Sequence, residues 1–355
     1  MKPQYFLIVI GAITLYFLFE LFSPYLKAMI VALLLAVATN SFSTYLTVKI
    51  PSKFISSFVM TIFLTFVFFI PLLYCLFSFA TLINNIDQQA LAKMLTKFES
   101  WVALLPNDFV IVKEHLMEFI EKINIKELIQ NLLSFGANLG KNSAKFILDM
   151  VLILVFYFFF NFYSTQLSTY LKSVLPLKRE DASALFFESS NVMSVVLYSI
   201  LATAILEGFL FGIFISFFDY DGILLGVLYG FASLIPVIGG LIMWLPIAIY
   251  EGFTVSSTNA LIIALYSIIV ISIVADTFIK PVIIKYINLR VVKTKANINE
   301  LLIFFSIIAG LSTFGFWGMI IGPAMVTFFI SIVQLLKKFS TDTQNDDINN
   351  LKKTI

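Results

Sequence analysis

Long apolar runs alternate with short polar connectors along most of this chain, a pattern typical of helices that cross a lipid bilayer. A run of about 20 apolar residues is long enough to span the hydrocarbon layer. Such runs cover residues 4–22, 25–48, 54–83, 144–163, 191–217 and 260–278. Ser23-Pro24 predicts a tight helical hairpin between the first two runs. The pattern therefore predicts about six full spans.

Two further apolar runs, at residues 222–250 and 301–336, are interrupted in the middle. The first contains SLIPVIGG and the second GLSTFGFWG, and both predict a break in the helix. Hydrocarbon cannot satisfy the backbone groups that a break leaves unpaired, so each break must be buried in protein or line a wet cavity. A spanning helix with a proline kink is the alternative for the first run. The residues that mark the breaks are Pro236, Gly239 and Gly240 in the first run and Gly310, Gly315 and Gly318 in the second.

The distribution of Lys and Arg decides between a kinked span and a hairpin. Short basic connectors stay in the cytoplasm, which fits residues 49–53 and 164–190 if the N-terminus is cytoplasmic. If residues 222–250 crossed the membrane only once, the most basic connector, residues 280–299, would lie outside the cytoplasm. A re-entrant hairpin bent at 236–240 returns it to the cytoplasm. The same rule favours a second re-entrant hairpin at 301–336 and a cytoplasmic C-terminus.

These elements predict an all-α polytopic membrane protein of eight hydrophobic segments, six full spans and two re-entrant hairpins. One span plus one hairpin recurs in the opposite orientation, at 191–250 and 260–336, which predicts an inverted-repeat-like core of the transporter type. The predicted organisation is N-terminal spans 1–83, an extracytoplasmic amphipathic insertion 84–142, a fourth span and cytoplasmic connector 143–190, a transport core 191–336 and a polar, disordered cytoplasmic tail 337–355. The sequence leaves three alternatives for the insertion: it lies on the membrane, contacts neighbouring subunits or forms an aqueous cap.

Composition supports a membrane protein and indicates where it packs most tightly. The chain is 60% hydrophobic and only 12% charged, about half the charged fraction of a soluble protein. Twelve of its 15 glycines lie between Gly208 and Gly322, several of them four residues apart, a spacing that lets helices approach closely in lipid. The net charge of +2 gives no indication of a nucleic-acid partner.

Ionisable residues inside spans are costly and usually face the protein interior or water. Glu207, in TAILEGFLFG, lies well inside its span and is a candidate for a solute or proton pathway, or for a structural pair. Asp276 and Lys280 are four residues apart, a spacing that predicts an ion pair. They precede Pro281 and would either clamp the end of the helix or contact substrate. The predicted topology places Glu207 and Asp276 toward opposite faces.

The order and spacing of these motifs resembles the autoinducer-2 exporter family of bacterial permeases. The resemblance is most specific between residues 198 and 326, although this chain has Glu207-Gly208 where many members have Gln-Gly. It also has IIKYINLRVVKTKAN in place of a Gly-containing turn. The resemblance implies a multispanning inner-membrane transporter, with export of autoinducer-2 for some members and cation/proton antiport for others. The matching motif residues are Ile235, Pro236 and Gly239, then Asp276, Lys280 and Pro281, and finally Gly315, Gly318, Gly322 and Pro323.

We expect a secondary transporter that exports a small solute, such as an autoinducer-2-like signalling molecule, through an ion- or gradient-driven mechanism. A cation/proton antiporter, a passive oligomeric channel and a structural scaffold are the alternatives. An intramembrane hydrolase is not expected, because His115 is the only histidine and lies outside the spans. No cofactor is expected; the expected partners are the lipid bilayer, a small-molecule or ion substrate and further copies of the chain. The candidate pathway residues are Glu207, Pro236, Gly239, Gly240, Asp276, Lys280, Pro281, Gly310, Gly315, Gly318 and Pro323.

Overall fold

The structure, a computed structural model, describes residues 3–84, 88–103, 113–115, 117–118, 125–235, 238–287, 289 and 300–354. These residues form helices and turns, and no strand occurs among them, so the predicted all-α fold class is confirmed. Six of the described helices are long and apolar enough to cross a membrane. They are Tyr5–Ala38, Lys53–Ser78, Ala144–Phe162, Glu180–Phe218, Ser257–Tyr286 and Leu301–Gln334.

The α-helices are numbered in chain order, and two of the joints between them are π-helical. Thr65–Phe69 joins α3 to α4, and Ser267–Ile279, called the π segment below, joins α11 to α12. The α-helices are α1 (Pro3–Ala38), α2 (Asn40–Lys49), α3 (Lys53–Leu64), α4 (Ile70–Asn84), α5 (Gln88–Ala103), α6 (Ile125–Phe162), α7 (Ser164–Val174), α8 (Arg179–Ile215), α9 (Gly222–Ala232), α10 (Gly239–Thr254), α11 (Ser257–Tyr266), α12 (Lys280–Tyr286), α13 (Glu300–Phe314) and α14 (Gly318–Thr354).

The chain divides into two compact units. The first unit consists of Met1–Thr65, Ile147–Leu197 and Val291–Ile355, and the second of Phe66–Phe146 and Tyr198–Arg290. Helix α8 begins in the first unit and continues into the second. Its second half therefore carries Glu207 in the second unit.

The N-terminal hairpin predicted at Ser23-Pro24 is wrong. Helix α1 runs without interruption from Pro3 to Ala38 with Pro24 inside it, a length of about 54 Å. A turn would expose backbone groups to lipid, whereas a helix loses only one hydrogen bond at a proline, so the helix continues. The two spans predicted at 4–22 and 25–48 are mostly one helix, which ends at Ala38. The cytoplasmic position of the N-terminus depended on that hairpin and no longer follows from the charge rule.

Residues from two basic connectors of the first unit meet. Lys53 Nζ, at the start of α3, donates to Thr165 Oγ1, at the start of α7, over 3.3 Å. At the break between α1 and α2, buried Thr39 Oγ1 is 2.7 Å from Tyr157 Oη. Ser190 Oγ of α8 donates to the Val37 carbonyl over 2.9 Å. Polar side chains thus satisfy the backbone where α1 ends.

Helices α13 and α14 form a hairpin within the first unit, called the second hairpin below. Its turn is a short 3₁₀ segment, Gly315–Trp317, and Gly315 has a φ of 66°, a left-handed conformation that favours glycine. Beyond the turn the two helices touch through their backbones, because a Cβ on Gly310 would meet the Gly318 carbonyl and one on Gly322 the Ser306 carbonyl. The predicted break within this run is confirmed, at Gly315.

Helices α9 and α10 form the corresponding hairpin of the second unit, called the first hairpin below. Helix α9 ends at Ala232 and α10 begins at Gly239, so the predicted break of this run is confirmed. Pro236 itself lies outside the described residues. A Cβ on Gly239 would meet the Ala232 carbonyl, and Tyr220 before α9 contacts Glu251 near the end of α10. The two helices therefore run antiparallel.

The first hairpin is held by a packed apolar core and by one amphipathic helix of the insertion. Phe211, Tyr229, Trp244, Ile263 and Ile271 are buried together in this core. Phe98 of α5 meets Phe253 of α10 edge to face, with ring centroids 5.4 Å apart. At least this helix of the insertion therefore packs on its own chain.

The C-terminal tail is another point where composition misleads. Helix α14 continues to Thr354, although the polar residues after Lys337 predict disorder. This stretch contains neither Pro nor Gly, the residues that most often end a helix.

Candidate functional site

Glycine packing brings Glu207 to the turn of the first hairpin. A Cβ on Gly208 of α8 would meet backbone atoms of Gly226 and Gly230 of α9, so the two helices touch backbone to backbone. Glu207, the residue before Gly208, is only 5% exposed. Its carboxyl group lies close to the Ser233 side chain, one residue after α9 ends, and the Ser233 hydroxyl donates to the Gly230 carbonyl over 2.9 Å. A buried carboxylate is thus held at the point where the hairpin breaks.

The carboxyl group of Asp276 lies close to that of Glu207. The expectation that these two residues lie toward opposite faces is therefore wrong. The expectation assumed that the helix ends at Pro281, which would place Asp276 near the membrane surface. The helix instead continues through Pro281 to Tyr286, which leaves Asp276 inside the span. The π geometry before Pro281 displaces the carbonyls that its ring would otherwise contact.

Lys280 completes the charged cluster. Its Nζ lies 3.1 Å from Asp276 Oδ1, and the two side chains are 34% and 42% exposed. The ion pair predicted from the spacing of four residues is therefore confirmed. Lys280 is also close enough to interact electrostatically with Glu207. The cluster thus contains two carboxyl groups, one ammonium group and the Ser233 hydroxyl.

Tyr229 connects this cluster to the start of α10. It is 1% exposed, and its ring stacks on Phe211 with centroids 4.4 Å apart. A Cβ on Gly240 would collide with the Tyr229 hydroxyl. Gly240 is therefore required for close approach, and sequence reasoning missed Tyr229 and Ser233. Their position beside the SLIPVIGG break was the available signal.

A second buried carboxylate ties the open end of the first hairpin together. Glu251 of α10 is 3% exposed; Tyr220 Oη and Asn259 Nδ2 each donate to it over 2.8 Å. Burial, followed by the hydrogen bond to Glu251, raises the pKa of Tyr220 above its usual value. The Tyr220 hydroxyl therefore stays protonated and donates at neutral pH. The sequence analysis does not identify Glu251 as a candidate.

The predicted pathway residues fall into two groups. Glu207, Gly239, Gly240, Asp276, Lys280 and Pro281 all belong to the second unit and lie on the first hairpin or on the helices that flank it. Gly310, Gly315, Gly318 and Pro323 belong to the second hairpin in the first unit, where Pro323 lies inside α14. Among the described candidates, Glu207 and Asp276 are thus in direct contact, as are Asp276 and Lys280.

Comparisons with known proteins agree with this architecture. The family model for the AI-2E family transporter matches residues 5–338. A Helicobacter pylori protein named "Putative transport protein" is 36% identical over 339 residues, which cover 96% of this chain and 97% of the relative. A Treponema pallidum protein of the same name is 28% identical over 228 residues, covering 63% of this chain and 52% of the relative. This chain belongs to the AI-2E family of transporters and is a multi-pass membrane protein of that bacterial family.

Proposed function

We propose that this chain is a secondary transporter that exports a small solute and couples export to protons at the Glu207–Asp276 pair. The observation that carries the proposal is the contact between the two carboxyl groups beside the broken hairpin. Two carboxylates at this closeness repel each other unless one of them binds a proton. Loss of that proton leaves two negative charges side by side, which repel each other. Proton binding thus stabilises this arrangement of helices.

The π segment supplies an element that can respond to the proton. π-Helical turns are rare and are frequent at functional sites, and Asp276 lies within a π segment of 13 residues. A change of register by one residue would rotate a side chain by about 100° around the helix. Such a shift would separate Asp276 from Glu207 and alter the support of the Ser233 turn. The pair and the π segment together form the coupling device of the proposal.

Both hairpins fit a re-entrant arrangement. Helix α9 has 11 residues, a length of about 16 Å, whereas the hydrocarbon layer is about 30 Å thick. Tyr220 and Glu251 hold the two open ends of the first hairpin together. A hairpin that stops halfway places its turn near the midplane, where transporters of this class bind substrates and ions. We propose that the second hairpin enters from the opposite side and that the chain acts as a homo-oligomer in the inner membrane.

The substrate class comes from the family and not from the geometry. Autoinducer-2, a small polar signalling molecule, is the first solute to test. The relatives' names specify transport and no solute. The proposed direction of transport, export, also comes from the family and not from the geometry.

Cation/proton antiport is the second candidate, and the chemistry of the cluster favours it over a passive channel. Two carboxyl groups and a hydroxyl group supply the oxygen ligands that hard monovalent cations prefer. A cation could replace the shared proton at Glu207 and Asp276. Lys280, which already pairs with Asp276, would compete with that cation.

The test is solute flux in proteoliposomes with an imposed pH gradient. Autoinducer-2 and sodium are each offered, and internal pH is followed with a fluorescent dye. We expect solute movement with stoichiometric proton counterflow, which Glu207→Gln lowers about tenfold to hundredfold. Glu20→Gln is the matched control, because Glu20 lies in an apolar helix with an exposed side chain. If the flux of every solute is independent of the pH gradient, the result would instead indicate a passive channel.

A further inference from the structure

A polar cavity in the first unit is separate from the carboxyl pair. It has a volume of 450 Å³ and lies where α2, α7 and α8 meet. Asn40, Ser168, Lys172 and Ser183 supply its polar wall, and Phe187 is among its apolar residues. The described lining residues carry one positive charge and no carboxylate. Such a set of donors favours an anionic ligand.

These polar side chains have no acceptor within the part of the chain that the structure describes. Asn40, Ser168, Lys172 and Ser183 all line the cavity, and their side chains make no hydrogen bond or ion pair with another described residue. Lys172 is nevertheless half-buried, so its ammonium group is partly removed from water. An ammonium group, two hydroxyl groups and an amide therefore point to a ligand with several acceptor oxygens.

The cavity lies at the level where apolar spans end. The span Ala144–Phe162 ends six residues before Ser168, and the span Tyr5–Ala38 ends two residues before Asn40. Ser183 is close to the start of the span Glu180–Phe218. Phe187 beside the cavity is 65% exposed, and aromatic side chains are enriched at the membrane surface. This is the depth of phospholipid headgroups.

We propose that this cavity binds the phosphate group of an anionic phospholipid. Lys172 pairs with the phosphate charge, Ser168, Ser183 and Asn40 donate hydrogen bonds to its oxygens, and Phe187 contacts the glycerol and first acyl carbons. Lysine binds phosphate as a point charge, and basic pockets beside spans are common headgroup sites. Free phosphate has the same oxygens but no acyl chain for Phe187. The bound lipid would join α2, α7 and α8 at one face of the first unit.

Native mass spectrometry of the full-length protein in detergent tests this proposal. Phosphatidylglycerol, phosphatidylcholine and inorganic phosphate are titrated separately. We expect phosphatidylglycerol to bind most tightly, and Lys172→Gln to weaken it about tenfold, as expected for one charge-assisted contact. Lys178→Gln is the matched control, since Lys178 is exposed in the same connector but does not line the cavity. It should change the affinity less than about twofold, and Lys172→Arg should retain binding.

Two results would overturn the proposal. Equal phosphatidylglycerol affinity for Lys172→Gln and Lys178→Gln would remove the cavity from lipid binding. Inorganic phosphate that binds as tightly as phosphatidylglycerol would show that the lipid is not the ligand. Circular dichroism establishes that each variant is folded. If Lys172→Gln does not fold, the double variant Ser168→Ala/Ser183→Ala takes its place, and unchanged affinity there counts equally against the site.

Discussion

The first and second hairpins are built alike and differ in the chemistry around them. In each, a helix breaks at a glycine-containing turn, and glycines bring a helix of the hairpin into backbone contact with a neighbouring helix. The first hairpin touches a cluster that contains Glu207, Asp276 and Lys280. The second has no ionisable side chain between Leu301 and Leu336. Its buried Ser306 and Ser331 donate to carbonyls of their own helix.

This difference separates the shape of a hairpin from its proposed role. Glycine contacts are sufficient to fold a broken helix back on itself, since the second hairpin does so without charges. The charged cluster of Glu207, Asp276 and Lys280 is therefore not needed to form such a turn. A buried carboxylate such as Glu207, which the turn does not need, is best explained by function. Substitutions should accordingly act on stability in both hairpins but on proton coupling only in the first.

The largest effect is expected at the shared feature, the glycine contact. A Cβ on Gly318 would collide with backbone atoms of Gly310 and Leu311, which cannot move aside as a side chain can. Gly318→Val should lower the free energy of unfolding by about 3 kcal/mol, the upper end of the usual overpacking cost. Thermal unfolding in detergent measures this. The control is Gly11→Val, because a Cβ on Gly11 would have no neighbour within 4 Å. Equal losses of unfolding free energy for both variants would contradict the backbone contact between Gly318 and Gly310.

Glu207→Gln should remove proton coupling without unfolding the protein. A neutral amide keeps the shape of the side chain but cannot take up or release the shared proton. Loss of one charge-assisted hydrogen bond corresponds to about a tenfold to hundredfold fall in proton-coupled flux. Thr327→Val in the second hairpin, which is equally buried, should leave coupling intact. Proton counterflow in proteoliposomes distinguishes the two, and an unchanged Glu207→Gln variant would exclude this residue from coupling.

Tyr220→Phe should lower the free energy of unfolding by a smaller amount, because it weakens the link between the two open ends of the first hairpin. It leaves one oxygen of buried Glu251 without its donor, a loss of about 1–2 kcal/mol. Because the pKa of Tyr220 is higher in the folded state, its contribution is complete below about pH 10 and falls as pH rises further. Unfolding curves from pH 8 to 11 measure this slope. Tyr220→Phe should flatten it, whereas exposed Tyr16→Phe should not; identical slopes would refute the hydrogen bond.

Ser306→Ala should have the smallest effect. The hydroxyl donates only to the Ile303 carbonyl of its own helix, which keeps its helical backbone partner. We expect a change in the free energy of unfolding below about 0.5 kcal/mol and normal flux. A loss of coupling in this variant would give the second hairpin a chemical role and weaken the comparison.

Local signals in the sequence predict much of this architecture. Both breaks are marked by glycines at the turn, and the Asp276–Lys280 pair follows from a spacing of four. Ser23-Pro24 predicts a turn, as it would in a soluble protein, but helix α1 continues through it. In lipid every unpaired backbone group is costly, so the helix is favoured over a turn. The charge rule was applied on top of that error, so the cytoplasmic position of the N-terminus stays a prediction.

The contact between Glu207 and Asp276 is not readable from the sequence. The two residues are 69 positions apart in the chain. Their contact also depends on a π segment, whose extra residue per turn gives no recognisable periodicity in the sequence. The helix was expected to end at Pro281, and it continues. Ser233 and Tyr229 join the cluster only because the glycines of α8 and α9 set the distance between these helices.

A double-mutant cycle on proton-coupled flux tests the central claim most directly. Glu207→Gln, Asp276→Asn and the double variant are compared with the unsubstituted protein in the same proteoliposomes. If the two carboxyl groups share one proton, the double variant should lose about as much coupled flux as either single variant, because the pair acts as one group. Losses that multiply independently, or coupling that survives in the double variant, would contradict it.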